Sequence, residues 1–124
     1  TLRRSNEWLI SMNLATLLAV LYISAFFDFS DFIARFNVEN SAEVSQLGTP
    51  LDLYYLNSLG PSAIPAIDIY VAKVPGHDWR HEMAKRMRDR LATRVAMRSL
   101  DWRSWNYRDH RIANYIRSTA LIEQ

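Results

Sequence analysis

The chain contains no cysteine and only three glycines in 124 residues. The first absence excludes disulfides, thiolate metal sites and a cysteine nucleophile. The second leaves little room for a glycine-rich phosphate cradle, and neither a P-loop nor a G-x-S-x-G elbow occurs. Strand signals are missing too: there is no sustained apolar–polar alternation, no Asn-Gly hairpin and no regular turn spacing. No repeat of fixed period and no low-complexity segment is visible.

What is present begins with residues 8–27, WLISMNLATLLAVLYISAFF, a run without any charge. As a helix it would be about 30 Å long, the thickness of a bilayer's hydrocarbon core. A buried core helix and a signal peptide are the competing readings. Soluble cores rarely use so long an uncharged run, and no small-residue cleavage site follows it. Trp8 at one end and Tyr22, Phe26 and Phe27 near the other resemble interfacial aromatic belts. Asn13 is costly in lipid, so it is expected to face another transmembrane helix. Arg3 and Arg4 precede the run, and Asp28 and Asp31 follow it. The positive-inside rule then puts the N-terminal flank in the cytoplasm and the remainder outside it. The first residue is Thr, which fits a piece cut from a longer polypeptide.

About 97 residues remain, enough for one modest domain. Charge is unevenly spread. Residues 28–79 carry seven acids and two bases, whereas residues 80–117 carry eleven bases and four acids. Either the two halves pack together as partners, or the basic half meets anionic lipid headgroups or an acidic subunit.

Helix punctuation is frequent. Ser30 is expected to cap a membrane-proximal helix reaching about Val44. Thr49 and Pro50 open a short helix with Leu51, Tyr54, Tyr55 and Leu59 inward, stopped at Gly60. Ser62 opens a second helix containing Pro65, and Pro75-Gly76 ends it. These two read as an αα-hairpin. Asp78 caps the longest soluble helix, to about Arg98, with Trp79, Met83, Met87, Leu91 and Val95 inward. Ser104 or Asn106 starts the last helix, with Ile112, Ala113, Ile116, Ala120 and Leu121 inward. The fold class expected is all-α: one transmembrane helix with its flanks over residues 1–29 and a small helical domain over 30–124.

Three segments carry a resemblance: FIARFNVEN (residues 32–40), LDLYYLNSLGPSAIPAI (51–67) and DWRSWNYRDHRIANY (101–115). In this order they resemble the C-terminal part of a bacterial family of multi-spanning membrane proteins known only as a domain of unknown function. The likeness covers most of residues 8–115. The chain departs from the family pattern at Gly60-Pro61, where Ser and Asp are more usual, so the form of that turn is open. The resemblance implies a polytopic parent in the bacterial inner membrane and implies no activity. Tyr54, Tyr55 and Leu56 would pack within the helix pair, and Trp102, Trp105 and Tyr107 would anchor the last helix.

Candidate chemistry is sparse. His77 and His81 flank Asp78 in a pattern like H-E-x-x-H, a weak metal candidate. Pro75-Gly76 puts His77 ahead of the helix, and Asp78 is needed as its cap. Asp52 and Asp68 read as solvated helix residues. Glu82 and Arg86 form an i,i+4 pair. Arg86, Arg90 and Arg94 belong to a basic run that would suit phosphate, and anionic headgroups fit it better than nucleic acid in a membrane-tethered domain. The sequence therefore points to a non-catalytic accessory or interaction module of a membrane assembly, with no cofactor and no metal. Its partners are the bilayer and other transmembrane helices or subunits. Asn13, Trp102, Trp105, Arg86, Arg90 and Arg94 are the interaction candidates, and the domain is expected in the periplasm. The alternative is the tail of a polytopic transporter or membrane enzyme whose active residues lie upstream.

Overall fold

A computed structural model describes residues 2–76 and 78–122; the side chains of residues 2–5, 102 and 122 lie outside that description. The fold is all-α, with no strand among the described residues. Helix α1 spans Leu2–Phe26 and α2 spans Phe29–Glu39. A single turn, α3, covers Ala42–Ser45, and α4 covers Leu53–Ser58. A 3-10 turn over Gly60–Ala63 leads into α5, Ile64–Lys73. Helix α6 runs Trp79–Ser99, a second 3-10 turn covers Trp102–Ser104, and α7 spans Tyr107–Ile122.

Helix α1 is long and apolar enough to cross a membrane, and none of Asn6–Phe26 is buried. It is therefore not the core helix of its own domain. It meets the rest of the chain at its last turn, where the Phe26 ring stands edge-on to Tyr107 at 6.2 Å.

The domain packs around α5, which contacts both α2 and α6, and α7 packs on α6 and on the first 3-10 turn. The first 3-10 turn is the hub, touching α2, α4, α5, α6 and α7. Such an approach requires small residues, and Ser62 and Ala63 supply them, both buried. Gly60 enters the turn at φ +74°, in the left-handed region that stops α4 without a Cβ penalty. Ile64, Ala66, Ile67 and Tyr70 of α5 meet Ala34 and Val38 of α2, and Ala84, Met87, Leu91 and Val95 of α6. Spacing of three and four on each helix makes one continuous apolar core.

Several boundaries differ from expectation. Asp28, not Ser30, caps α2: its Oδ1 accepts from the Asp31 amide at 3.2 Å. That helix ends at Glu39 rather than near Val44, because Asn40 and Ser41 turn the chain into α3. Asp52, not Thr49, caps α4, accepting from the Tyr55 amide at 2.9 Å. Helix α5 starts at Ile64, and Ser62 lies in the 3-10 turn instead. With α4 only six residues long, the pair is a helical turn docked on the 3-10 hub, not two lengths of helix side by side. Asp78 and Asn106 are caps as expected, accepting from the amides of His81 at 2.9 Å and Asp109 at 2.8 Å.

The inward faces shift accordingly. Leu51, Leu53 and Leu56 are buried, whereas Tyr54 and Tyr55 point outward. On α6 the buried face is His81, Ala84, Met87, Leu91 and Val95, and Trp79 is 68% exposed. On α7, Ile112 is buried, Ala113 and Ile116 are half-buried, and Ala120 and Leu121 are exposed.

Candidate interaction surface

Oppositely charged halves of the chain are joined by ion pairs, so the reading of mutual packing holds. Arg111 of α7 donates to Asp28 Oδ2 at 2.8 Å and lies 3.7 Å from Asp31. Arg80 of α6 pairs with Glu43 at 2.9 Å and donates to the Leu51 carbonyl. Arg88 donates through Nε to Asp68 Oδ1 at 3.1 Å, and the Tyr115 hydroxyl donates to Asp68 Oδ2 at 3.2 Å. Asp68 is thus a bridge between α5, α6 and α7, not a solvated residue. Burial, followed by the Asp68 charge, pushes the Tyr115 phenol above its ordinary range. Burial raises Tyr70 likewise, opposed by Arg80.

Asp28 is the residue the sequence did not single out. Its carboxylate holds Asp31, Ser62 and Arg111 at once, one residue after the break that ends α1. Only its position beside an apolar run was visible in the sequence. Its partners lie 34 and 83 residues away.

Arg86, Arg90 and Arg94 have no ion-pair or hydrogen-bond partner among the described residues. Glu82 instead pairs with Lys85 at 3.8 Å, which overturns the expected Glu82–Arg86 pair. The three arginines recur every four residues, a stripe about 12 Å long on one face of α6. Arg86 and Arg90 edge a groove of about 550 Å³ between α4 and α6. Leu53, Met83 and Met87 lie along it, with Tyr54 and Trp79 as aromatic walls. Arg90 and Arg94 continue into a shallower depression with Met97. The surface thus joins a cationic edge to an apolar floor.

The remaining candidates are dispersed. Asn13 is exposed midway along α1, and its carboxamide makes no hydrogen bond, whereas Thr16 bonds back to the Met12 carbonyl at 2.8 Å. Trp105 is exposed, with His110 at 6.1 Å. It and Tyr107 do not anchor α7 through burial; the Trp102 side chain lies outside the described residues. His77 also lies outside them. His81 faces inward and its Nδ1 is 3.1 Å from the Val74 carbonyl. Among the described residues no three His, Asp or Glu side chains converge to hold a metal.

A second exposed feature surrounds the end of α1. Phe27 contacts Phe29 and Phe32, and Phe32 stacks on Phe36, so one face of α2 is a row of exposed phenylalanines. On α1 the Tyr22 and Phe26 rings pair at 5.0 Å, and Phe26 meets Tyr107 of α7. A family model described as domain of unknown function DUF4153 matches residues 1–70, the span, the phenylalanine helix and the 3-10 hub together. The chain belongs to the DUF4153 family. The Trp-Asn segment at residues 101–115 lies beyond the matched residues, so the family assignment rests on the first two segments of the resemblance. No curated protein and no solved structure matches the chain.

Proposed function

We propose that this DUF4153 chain is a non-catalytic interaction module anchored in a bacterial inner membrane, serving as an accessory part of a membrane protein assembly. The carrying observation is the unpaired stripe of Arg86, Arg90 and Arg94 over the apolar α4–α6 groove. Arg80, Arg88 and Arg111 are matched to acids across the domain; here three successive charges on one helix face are left without partners beside exposed Trp79 and Tyr54. Cationic edge plus apolar floor fits an amphipathic segment of a partner subunit with acidic residues on its rim. Helix α1 would hold the module in the bilayer, with Arg3 and Arg4 on the cytoplasmic side and the domain in the periplasm.

Co-purification from native membranes in mild detergent tests this reading. A stoichiometric partner should accompany the chain and be lost with Arg86→Glu, Arg90→Glu and Arg94→Glu combined. A chain that runs alone as a monomer would sink the proposal.

Asn13 favours a second reading, in which α1 is one span of a polytopic bundle and active residues lie upstream. A free carboxamide in hydrocarbon costs several kcal/mol (roughly 2–7) unless another helix supplies a partner. Because the chain has no cysteine, Asn13→Cys gives a single reactive site. Crosslinking from it to another transmembrane segment supports the bundle; modification from lipid alone speaks against it.

A further inference from the structure

We propose that the cavity at the aqueous end of α1 binds the phosphate of an anionic phospholipid headgroup. This inference rests on the reading of α1 as a membrane span.

The cavity, of about 460 Å³, opens where the last turn of α1 meets the start of α7. Ala25 and Phe26 form its membrane side. They close the apolar run, so the cavity lies where hydrocarbon gives way to headgroups. Phe26 and Tyr107, ring edge to ring face, fit that same boundary.

Its remaining wall is rich in unused donors. Arg98, Arg108, Ser30 and Tyr107 all line it. Among the described residues, Arg108 has no partner, and the hydroxyls of Ser30 and Tyr107 make no hydrogen bond. Arg98 approaches Asp109 only at 3.6 Å, outside hydrogen-bond length. The Asp109 carboxylate already accepts from the Asn106 amide group at 2.9 Å. Two guanidinium groups against one carboxylate leave the wall one positive charge in excess. A phosphodiester brings one negative charge and two strong acceptor oxygens, and guanidinium binds it through paired N–H donors. The glycerol and acyl part of such a lipid would leave past Ala25 and Phe26, along α1.

The chain is reconstituted into phosphatidylcholine vesicles with and without phosphatidylglycerol, and the lipid that stays bound after extraction into mild detergent is counted by native mass spectrometry. Phosphatidylglycerol should be retained in preference to phosphatidylcholine. Arg108→Gln removes an unpaired side chain without disturbing a contact and should weaken retention about fivefold; Arg98→Gln with Arg108→Gln should weaken it roughly 30-fold. Lys73→Gln, at a cation outside the cavity with no partner among the described residues, should leave it unchanged. Equal retention of the two lipids, or undiminished retention by both cavity variants, overturns the proposal. Displacement by excess inorganic phosphate would assign the site to a free anion and overturn the lipid source. Release of the chain from vesicles by alkaline washing would overturn the membrane reading as well. A chain that stays inserted without lipid preference overturns this inference alone.

Discussion

Asp28 should be the most sensitive polar position in the domain. Its side chain is 3% exposed and lies directly after α1, where the chain breaks before α2. Replacing it with alanine removes three interactions of different kinds. Loss of the α2 cap costs about 1 kcal/mol. The buried Ser62 hydroxyl, which donates at 2.7 Å, loses its acceptor, costing about 1 kcal/mol more. The Arg111 pair would be worth more in a dry interior. Arg111 is 40% exposed and keeps Asp31 at 3.7 Å, so its loss is discounted to about 1 kcal/mol.

Asp28→Ala should therefore destabilise the domain by about 3 kcal/mol, lowering the midpoint of thermal unfolding by about 15 °C. Asp28→Asn keeps the acceptor oxygen for the cap and places an NH2 where the second oxygen met Ser62 and Arg111. The Ser62 hydroxyl can turn to accept from it, so the cost should be only about 1 kcal/mol, from the lost Arg111 pair. Combining Asp28→Asn with Arg111→Gln should show a coupling of about 1 kcal/mol in a double-mutant cycle. Unfolding is best followed in detergent by near-ultraviolet circular dichroism of the tryptophans, because α1 keeps its helical signal when the domain melts. If Asp28→Ala unfolds within about 0.5 kcal/mol of the unsubstituted chain, the junction is not held by this carboxylate, and the account of it is wrong.

Two further outcomes follow from the core and its phenols. Leu91→Ala opens a cavity at a fully buried position and should cost about 3 kcal/mol, whereas Tyr54→Ala, on the exposed face of α4, should change unfolding by less than about 0.5 kcal/mol. Tyr70 and Tyr115 favour the neutral phenol in the folded state, since their pKa values are raised above 10.0. Their contribution is complete below that unfolded value and is lost as pH rises through the folded values, so stability should fall in alkaline solution. In Tyr115→Phe the decline should be shallower, from a lower starting stability because the Asp68 hydrogen bond is gone.

What the sequence made legible was mostly local. Asp78 and Asn106 act as caps on backbone amides three residues away, and Gly60 stops α4 by its own φ. The apolar length of α1 needed no tertiary context. Where local signals tied, distant partners decided. In Phe27-Asp28-Phe29-Ser30-Asp31 both Asp28 and Ser30 are competent caps; Asp28 prevails where its second oxygen also meets Ser62 and Arg111. Helix α4 is too short for periodicity to choose between a tyrosine face and a leucine face, and burial of Leu51, Leu53 and Leu56 settles it. Trp79 fits the periodic stripe of α6, yet as the first residue of the helix it stays exposed and becomes a groove wall.

The basic half shows the same limit most clearly. Its arginines look alike in the sequence, but the fold sorts them by what the acidic half can reach. Arg80, Arg88 and Arg111 face Glu43, Asp68 and Asp28 across helix interfaces. Arg86, Arg90, Arg94 and Arg108 face no acid among the described residues. Acids on α2, α3 and α5 therefore do two things at once: they join the halves, and they decide which cations stay free. Those four fall in two places, beside the α4–α6 groove and at the foot of α1. A surface arginine contributes little to stability when unpaired, so both sets are available for partners without weakening the fold. Reversing charge at Arg86, Arg90 and Arg94 should for that reason separate binding from stability, whereas reversal at Arg80, Arg88 or Arg111 should damage both.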